Sequence, residues 1–416
     1  MNIKTRLILM SFLQFFVWGA WLITIGNYWF ATKHWSGAQF GAIFTTLGFS
    51  AIIMPAITGI IADKWMNAEK LYGILHLAGG LILFYIPQVD DPGTFFWIIF
   101  AAMLCYMPTI SLSYSIAYAI LKNNKLDVVA SFPPIRVWGT VGFIAAMWLT
   151  NLTGNKASAN MFYIAAASAI ALGLYSFSLP KCPPNKSTHQ TSFAKKIGLD
   201  AFKLFGTYKM AVFFLFAILL GAALQLTNMY GDAFLSDFEK IPRYADSFVV
   251  KYSTIIMSIS QVSETLFILA IPFFLKRFGI KTVMLIAMMA WVFRFGLFAF
   301  GDPSTGLWMI ILSCIVYGMA FDFFTISGSL FIETTTDTSI RSSAQGLFMM
   351  MSNGFGAVLG GSLSGFLIDN YFMKNGQKDW HNIWLCFAAY ALVVTVLFAI
   401  MFRHKHEPEK LGEIKH

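Results

Sequence analysis

Stretches of about twenty apolar residues recur along the whole 416-residue chain, separated by charged or Pro/Gly-rich breaks. Each stretch is long enough to cross the roughly 30 Å hydrocarbon layer of a bilayer as an α-helix. A transmembrane barrel would instead show ~10-residue segments of alternating hydrophobicity. Charged residues make up 12% of the chain, against the ~25% usual in soluble proteins, so a soluble fold could not bury this much apolar surface. The sequence therefore predicts an all-α membrane protein.

The breaks divide the apolar sequence into twelve predicted transmembrane helices. Six lie in the first half of the chain, at about 6–30, 38–62, 70–88, 94–120, 134–152 and 160–179. Six more lie at about 209–234, 249–275, 281–300, 305–331, 342–369 and 380–402.

The stretch between these two sets is polar and begins with three prolines, which is typical of a cytoplasmic linker. We therefore predict an N-terminal six-helix half at 1–179, a linker at 180–208 with an amphipathic surface segment near 193–205, a C-terminal six-helix half at 209–402, and a cytoplasmic tail at 403–416. Two six-helix halves around a linker are typical of the major facilitator superfamily, in which the halves rock about a midplane site.

The basic residues predict the orientation, because Lys and Arg in short loops prefer the cytoplasmic side. With the N-terminus inside, twenty of the 29 Lys and Arg residues fall in cytoplasmic segments, seven fall on the opposite side, and Arg136 and Arg294 lie in or at the edge of spans. Both termini are therefore expected in the cytoplasm of a bacterial cell, with the chain in the inner membrane. The net charge of +9 then reflects this topology and contact with membrane lipid, and nucleic-acid binding is not expected.

Catalytic and metal-binding patterns are missing from the sequence. The four cysteines are widely spaced, and no H-E-x-x-H pair, G-x-G-D motif or convincing catalytic Ser or Cys constellation occurs. We expect no enzymatic activity, no cofactor, no metal and no obligate protein partner. A receptor that binds without transporting would usually carry a sizeable soluble output domain, and none is apparent.

Few polar groups stand inside the predicted spans, where burial costs several kcal/mol unless the group is paired or functional. Glu264 lies near the middle of span eight. A carboxyl in apolar surroundings can take up a proton on one side and release it on the other, as a proton-coupled carrier requires. Gln261 lies on the same helix face, and Gln225 and Asn228 repeat this spacing in span seven. The amides either join neighbouring helices or line a wet cavity for a neutral ligand, and Glu264 is either the proton carrier or a structural carboxyl.

Span five begins with Phe132-Pro133-Pro134, and the prolines are expected to fix the start of the helix. Arg136, Thr140 and Phe143 then share one helix face, while Gly139 and Gly142 would let another helix approach closely. Arg136 could bind a substrate oxygen, pair with an acidic group such as Glu264, or anchor to lipid phosphate. In span nine, Arg294 is close enough to the polar turn at 301–303 to be expected to snorkel to the interface.

Span ten carries Tyr317 and Phe321 four residues apart, followed by Asp322. The aromatic pair could stack on a base or sugar, or it could simply pack. Asp322 is either a proton-coupling residue or a tie between helices. In span eleven, the paired glycines predict close helix packing; they are Gly356, Gly360, Gly361 and Gly365.

The loop after span two reads Gly59-Ile60-Ile61-Ala62-Asp63-Lys64 and resembles the G-x-x-x-D-R/K signature of the major facilitator superfamily. In that superfamily the acidic residue caps a neighbouring helix end in one gating state, which makes Asp63 the gating candidate. The matching loop at 276–281 lacks the acidic residue. An exposed loop with ordinary charges is the alternative.

The segments 132–143, 257–264 and 317–324 together closely resemble the bacterial nucleoside:proton symporters, and the resemblance extends over essentially the whole chain. It implies a neutral purine or pyrimidine nucleoside as substrate, carried with protons by alternating access through a cavity between the halves. The family's binding residues carry over onto Arg136, Thr140, Phe143, Gln225, Asn228, Gln261, Glu264, Tyr317 and Phe321. A proton-coupled sugar or oligosaccharide symporter is the alternative, because galactoside carriers also have an arginine on span five and an acid on span eight.

Overall fold

The computed structural model describes residues 2–126, 128–184, 199–337 and 340–404. In the first part of the chain the helices are α1 Ile3–Gly19, the short α2 Ile25–Asn27, α3 Gly37–Lys64, α4 Ala68–Tyr85, α5 Pro92–Asn123, α6 Val128–Leu152 and α7 Asn160–Ser176. A π-helical turn at Tyr28–Thr32 extends α2, and a 3-10 turn at Ile86–Gln88 extends α4.

The later helices follow a 3-10 segment at Leu199–Gly206. They are α8 Tyr208–Asp237, α9 Phe248–Lys251, α10 Ser253–Phe300, α11 Leu307–Thr335, α12 Arg341–Met349, α13 Gly356–Tyr371 and α14 Trp380–Met401. A 3-10 turn at Phe238–Lys240 ends α8, and a π-helical turn at Met350–Phe355 joins α12 to α13. A two-stranded antiparallel hairpin, β1 Met373–Lys374 and β2 Gln377–Lys378, precedes α14.

Helical chain coincides with each of the twelve predicted spans. Among the described residues, eight helices are both long and apolar enough to cross a membrane. Predicted span one is interrupted after Gly19, where α1 ends. Predicted spans eight and nine join in α10, which is broken at Gly279, where φ is 76°. Most of the predicted linker and of its amphipathic segment lies outside the described residues, as does the tail beyond residue 404.

The expectation that prolines fix the start of span five was wrong. Helix α6 begins at Val128, and both Pro133 and Pro134 lie inside it. Proline has no N–H to donate to the carbonyl four residues earlier, so each ring removes one hydrogen bond from the helix. The helix nevertheless continues through both prolines, which shows that its packing outweighs these two missing bonds.

The described chain forms two compact units. Unit 1 contains Met1–Gln190 together with Asn228–Ser236 and Tyr252–Ile255, and unit 2 contains the remaining segments. In unit 1, α1 packs tightly on α6. A Cβ added at Gly142 would lie 2.1 Å from the carbonyl oxygen of Phe12, and one added at Gly139 would lie 2.6 Å from the ring of Phe15. The predicted close approach at these two glycines is confirmed.

In unit 2, α8 packs tightly on the π-helical turn and on α13. A Cβ added at Gly221 would lie 1.9 Å from the carbonyl oxygen of Ser352, and one added at Gly356 would lie 2.7 Å from the Cα of Gly221. At Gly360 the added atom would lie 2.8 Å from the carbonyl oxygen of Ala222. The close packing predicted for the paired glycines is thereby confirmed at Gly356 and Gly360.

Candidate functional site

Arg136 is the charged member of the predicted set in unit 1. Its guanidinium lies 4.0 Å from the ring centre of Phe15 on α1, and its Nε donates a hydrogen bond of 2.8 Å to the hydroxyl of Tyr114 on α5. The side chain is half-buried. These contacts orient the guanidinium against protein rings, which favours a role inside the protein over an anchor to lipid phosphate.

The remaining predicted residues of unit 1 are half-buried as well; they are Thr140, Phe143 and Asn228. The ring of Phe143 meets the ring of Trp18 edge-on, with the ring centres 6.5 Å apart. Because α1 and α6 approach so closely, the backbone of Phe143 lies directly against α1. Partial exposure leaves these three side chains able to contact a ligand.

Tyr317 on α11 lies near charged side chains in unit 2. Its side chain is buried, and its ring stands edge-on to Trp291 at 5.8 Å. The carboxyls of Glu264 and Asp322 and the guanidinium of Arg294 all lie within electrostatic reach of its hydroxyl. The Tyr317 ring thus contacts a protein ring, and Phe321 is half-buried.

The expectation that Arg294 snorkels to the interface was wrong. The side chain is 0% exposed. Its Nε donates to the hydroxyl of Thr227 at 2.7 Å, and its Nη1 donates to the carbonyl oxygen of Ser313 at 2.8 Å. The arginine stays inside because neighbouring helices provide polar oxygens there, whereas snorkelling assumes that only apolar side chains are available.

The two glutamines of the predicted set each have a buried amide oxygen. Within the described residues, neither the Oε1 of Gln225 nor the Oε1 of Gln261 has a hydrogen-bond partner. Gln225 lies two residues before Thr227, and Gln261 directly follows Ser260, and Arg294 donates hydrogen bonds to both of these hydroxyls. A buried acceptor without a donor costs about 1–3 kcal/mol, so such groups are suited to a ligand that supplies the donor.

Sequence reasoning missed Asp232, which is 0% exposed near the end of α8. Its carboxylate accepts a short hydrogen bond from the Nδ2 of Asn27 and bonds of 3.1 and 3.2 Å from the hydroxyl of Thr254. The Nζ of Lys156 lies 3.1 Å from the hydroxyl of Ser253 and acts electrostatically on the carboxylate. All of these residues belong to unit 1.

A signal for Asp232 was present in the sequence. The residue lies inside the predicted bounds of span seven, four residues after Asn228 and therefore close to the same helix face. An acid in a span predicts function or pairing, as it did for Glu264. Its partners could not be predicted, because Asn27 lies 205 residues away in sequence.

A second buried polar network in unit 1 is centred on Gln14. Its Oε1 accepts a hydrogen bond of 2.6 Å from the hydroxyl of Tyr72 and lies 2.9 Å from the Nε2 of His76. Its Nε2 donates to the hydroxyl of Thr109 at 2.9 Å, and its backbone carbonyl accepts a bond of 2.8 Å from Tyr106. The amide thus joins α1, α4 and α5 through paired donors and acceptors, which fits a structural role.

Two further predictions concern other kinds of site. The side chain of Asp63, the gating candidate, lies outside the described part of the structure, although its backbone belongs to α3. In the described ranges, no group of three or more His, Cys, Asp or Glu residues could hold a metal ion.

Comparisons with known proteins extend over almost the whole chain. Residues 1–407 match the family described as nucleoside H+ symporter. The chain is 54% identical to a xanthosine permease of Escherichia coli K12, over 99% of this chain and 98% of the permease. It is 50% identical to the nucleoside permease NupG of the same organism, over 98% of this chain and 97% of that protein. A crystal structure of the nucleoside transporter NupG matches with a TM-score of 0.92 at 50% identity, covering 97% of this chain and 100% of that chain.

Proposed function

The chain belongs to the nucleoside H+ symporter family, and on this premise we propose that it carries nucleosides into the cell together with protons by alternating access. The family match over residues 1–407 is the observation that carries the proposal. The interior of unit 2 supports it, because two carboxyls lie inside apolar helices, together with two amide oxygens that have no hydrogen-bond partner in the described part of the chain. Groups of this kind are costly in a membrane interior unless they are paired or functional.

Nine residues are proposed to bind the nucleoside. The amides of Gln225, Asn228 and Gln261 and the guanidinium of Arg136 would hold ribose hydroxyls and base edges, since both groups offer donors in fixed geometry. The side chains that would pack around the base and sugar are Thr140, Phe143, Tyr317 and Phe321. Glu264 completes the set as the proton carrier, with Asp322 as a second coupling residue.

The membrane arrangement is likewise proposed. We place twelve spans in the bacterial inner membrane with both termini in the cytoplasm, supported by the excess of Lys and Arg in the predicted cytoplasmic segments. Asp63 would act in gating. The protein would act as a carrier and not as an enzyme, and it would need no cofactor.

Uptake of radiolabelled uridine and adenosine into cells that lack their own nucleoside carriers tests the proposal. Accumulation that collapses when a protonophore is added would support proton-coupled symport. Glu264→Gln should lose accumulation against a gradient because its amide cannot carry a proton, and Glu239→Gln, an exposed site, should retain it. Accumulation by Glu264→Gln at the wild-type level would show that the proton travels elsewhere.

Competition by unlabelled compounds distinguishes the nucleoside symporter from the alternative, a sugar or oligosaccharide symporter. Unlabelled nucleosides should reduce uridine uptake, whereas free bases, ribose and disaccharides should leave it unchanged. The sugar or oligosaccharide symporter would replace the nucleoside symporter as the proposal if protein that is present in the membrane took up a disaccharide but neither nucleoside.

A further inference from the structure

Three contacts within unit 1 fix the guanidinium of Arg136. Its face lies against the ring of Phe15, and its Nε donates to the hydroxyl of Tyr114 at 2.8 Å. The third contact is at Gly139 on α6, where an added Cβ would lie 2.8 Å from the Nη1 of Arg136. The absence of a side chain at Gly139 therefore leaves the space beside which Nη1 lies.

The hydroxyl of Tyr114 is itself held in place by ring contacts. The Tyr114 ring stands edge-on to the ring of Phe132, with the ring centres 5.4 Å apart. Phe132 lies on α6, four residues before Arg136. The helix that carries the guanidinium thus also supports the tyrosine that accepts its Nε–H, so the position of the acceptor is set relative to the donor.

The bond to Tyr114 determines which donors of Arg136 remain for a ligand. A guanidinium has five N–H donors in one plane, and the Nε–H is the one that Tyr114 accepts. The other four belong to Nη1 and Nη2, which form the fork that matches a pair of neighbouring oxygens. A ribose presents such a pair in its adjacent hydroxyls. An arginine that is held beforehand loses less rotamer freedom on binding, which strengthens the binding.

We propose that Tyr114 and Phe15 are positioning residues, which hold the guanidinium of Arg136 so that its Nη1–Nη2 fork is presented to the nucleoside. The inference rests on the proposed function, in which Arg136 binds the nucleoside. It adds two residues that are not among the nine proposed to bind it. A bond that only tied α5 to α6 would affect the amount of folded protein and leave the affinity for nucleoside unchanged.

The test is the concentration dependence of uridine uptake by purified protein in liposomes. Tyr114→Phe keeps the ring and removes the acceptor of the Nε–H, so the KM for uridine should rise about tenfold. The maximal rate per folded transporter should stay within about twofold of wild type, because the lost interaction is one of binding. Tyr118→Phe is the matched control and should keep the wild-type KM, since this tyrosine is also on α5 and its ring contacts Phe132 at 4.6 Å.

Arg136→Lys shows whether Tyr114 acts through the arginine. Lysine has neither an Nε–H at this position nor a planar fork, so the Tyr114 hydroxyl has no guanidinium to orient. The KM of Arg136→Lys should exceed that of wild type, and adding Tyr114→Phe should change it by less than about twofold. A further tenfold rise in the double variant would show that Tyr114 acts independently of Arg136, and the proposal would be wrong.

A folded Tyr114→Phe protein with the wild-type KM would overturn the proposal, even if its maximal rate were low. Phe15→Leu is the second variant if Tyr114→Phe does not fold. Removing the ring from the face of the guanidinium should raise the KM about threefold, and an unchanged KM would again contradict positioning. A wild-type protein that takes up no uridine would defeat the proposed function and this inference with it. Uptake by wild type with an unchanged KM in both variants would defeat the inference alone.

Discussion

A single methyl group added at Gly221 should destabilise unit 2 by more than the higher helix preference of alanine stabilises it. In Gly221→Ala the new Cβ would lie 1.9 Å from the carbonyl oxygen of Ser352, against roughly 3.5 Å for an ordinary contact. The obstacle is backbone, which cannot rotate away as a side chain would. Helix α8 and the π-helical turn would have to separate by about 1.6 Å, the difference between these two distances.

Overpacking of this kind costs about 1–3 kcal/mol, and the rigid obstacle places Gly221→Ala near the upper value. Alanine is favoured over glycine inside a helix by about 0.5–1 kcal/mol, which leaves a net loss of roughly 2 kcal/mol. Gly296→Ala is the matched control, because an added Cβ there meets nothing within 4 Å. It should gain the helix preference alone, so the two variants should differ by about 3 kcal/mol.

Thermal unfolding of the purified variants in one detergent measures this difference. The entropy of unfolding of a chain of 416 residues implies a shift of about 1 °C per kcal/mol, so Gly221→Ala should melt about 3 °C below Gly296→Ala. Equal melting temperatures would show that α8 and the turn can move apart freely, and the argument from close approach would fail.

Three further predictions concern polar groups. Asp232→Ala leaves the Asn27 amide and the Thr254 hydroxyl without their acceptor and should cost about 2–4 kcal/mol in thermal unfolding; Asp232→Asn keeps one acceptor, so an equal loss in both variants would contradict the role of these bonds. Gln14→Ala should cost at least about 2 kcal/mol by unpairing Tyr72 and Thr109, whereas Gln88→Ala at an exposed site should stay within about 0.5 kcal/mol. Burial lowers the pKa of Lys378, in the hairpin, to about 8, with Asp237 opposing the shift. Because the folded protein releases this proton at a lower pH than the unfolded chain does, the free energy of unfolding of wild type should rise relative to that of Lys378→Met between pH 8 and about 10.5. Below pH 8, wild type should be the less stable protein by a constant amount. If the difference in free energy of unfolding stayed constant from pH 8 to about 10.5, the shift in pKa would be refuted.

The helices could be predicted from the sequence because an apolar run of membrane length has few other ways to satisfy its backbone. The close contacts at Gly142 and Gly356 were predictable for a related reason, since glycine spacing defines which helix surface lets another backbone approach. Neither inference needed knowledge of which helix would be the neighbour.

The predictions were wrong where contacts with neighbouring helices determine the position of a side chain or the extent of a helix. The sequence predicts that Arg294 snorkels because it does not show that Thr227 and Ser313, which lie 67 and 19 positions away on other helices, are its hydrogen-bond partners. Pro133 and Pro134 predict a helix start, because neither proline can donate a backbone hydrogen bond. Tertiary packing nevertheless keeps both prolines inside α6, which begins before them. Asp232 was passed over because it lies near a predicted span end and its amide partner is on α2.

The bond between Asn27 and Asp232 also bears on how the chain is assembled in a cell. The two residues are 205 positions apart, so at 5–20 residues per second the ribosome delivers the amide about 10–40 s before the carboxylate. Thr254 follows only 22 positions later. The amide of Asn27 has therefore already been synthesised when Asp232 emerges from the ribosome, and the hydroxyl of Thr254 follows shortly afterwards. The carboxylate can then leave water for a bonded position instead of waiting uncompensated in lipid.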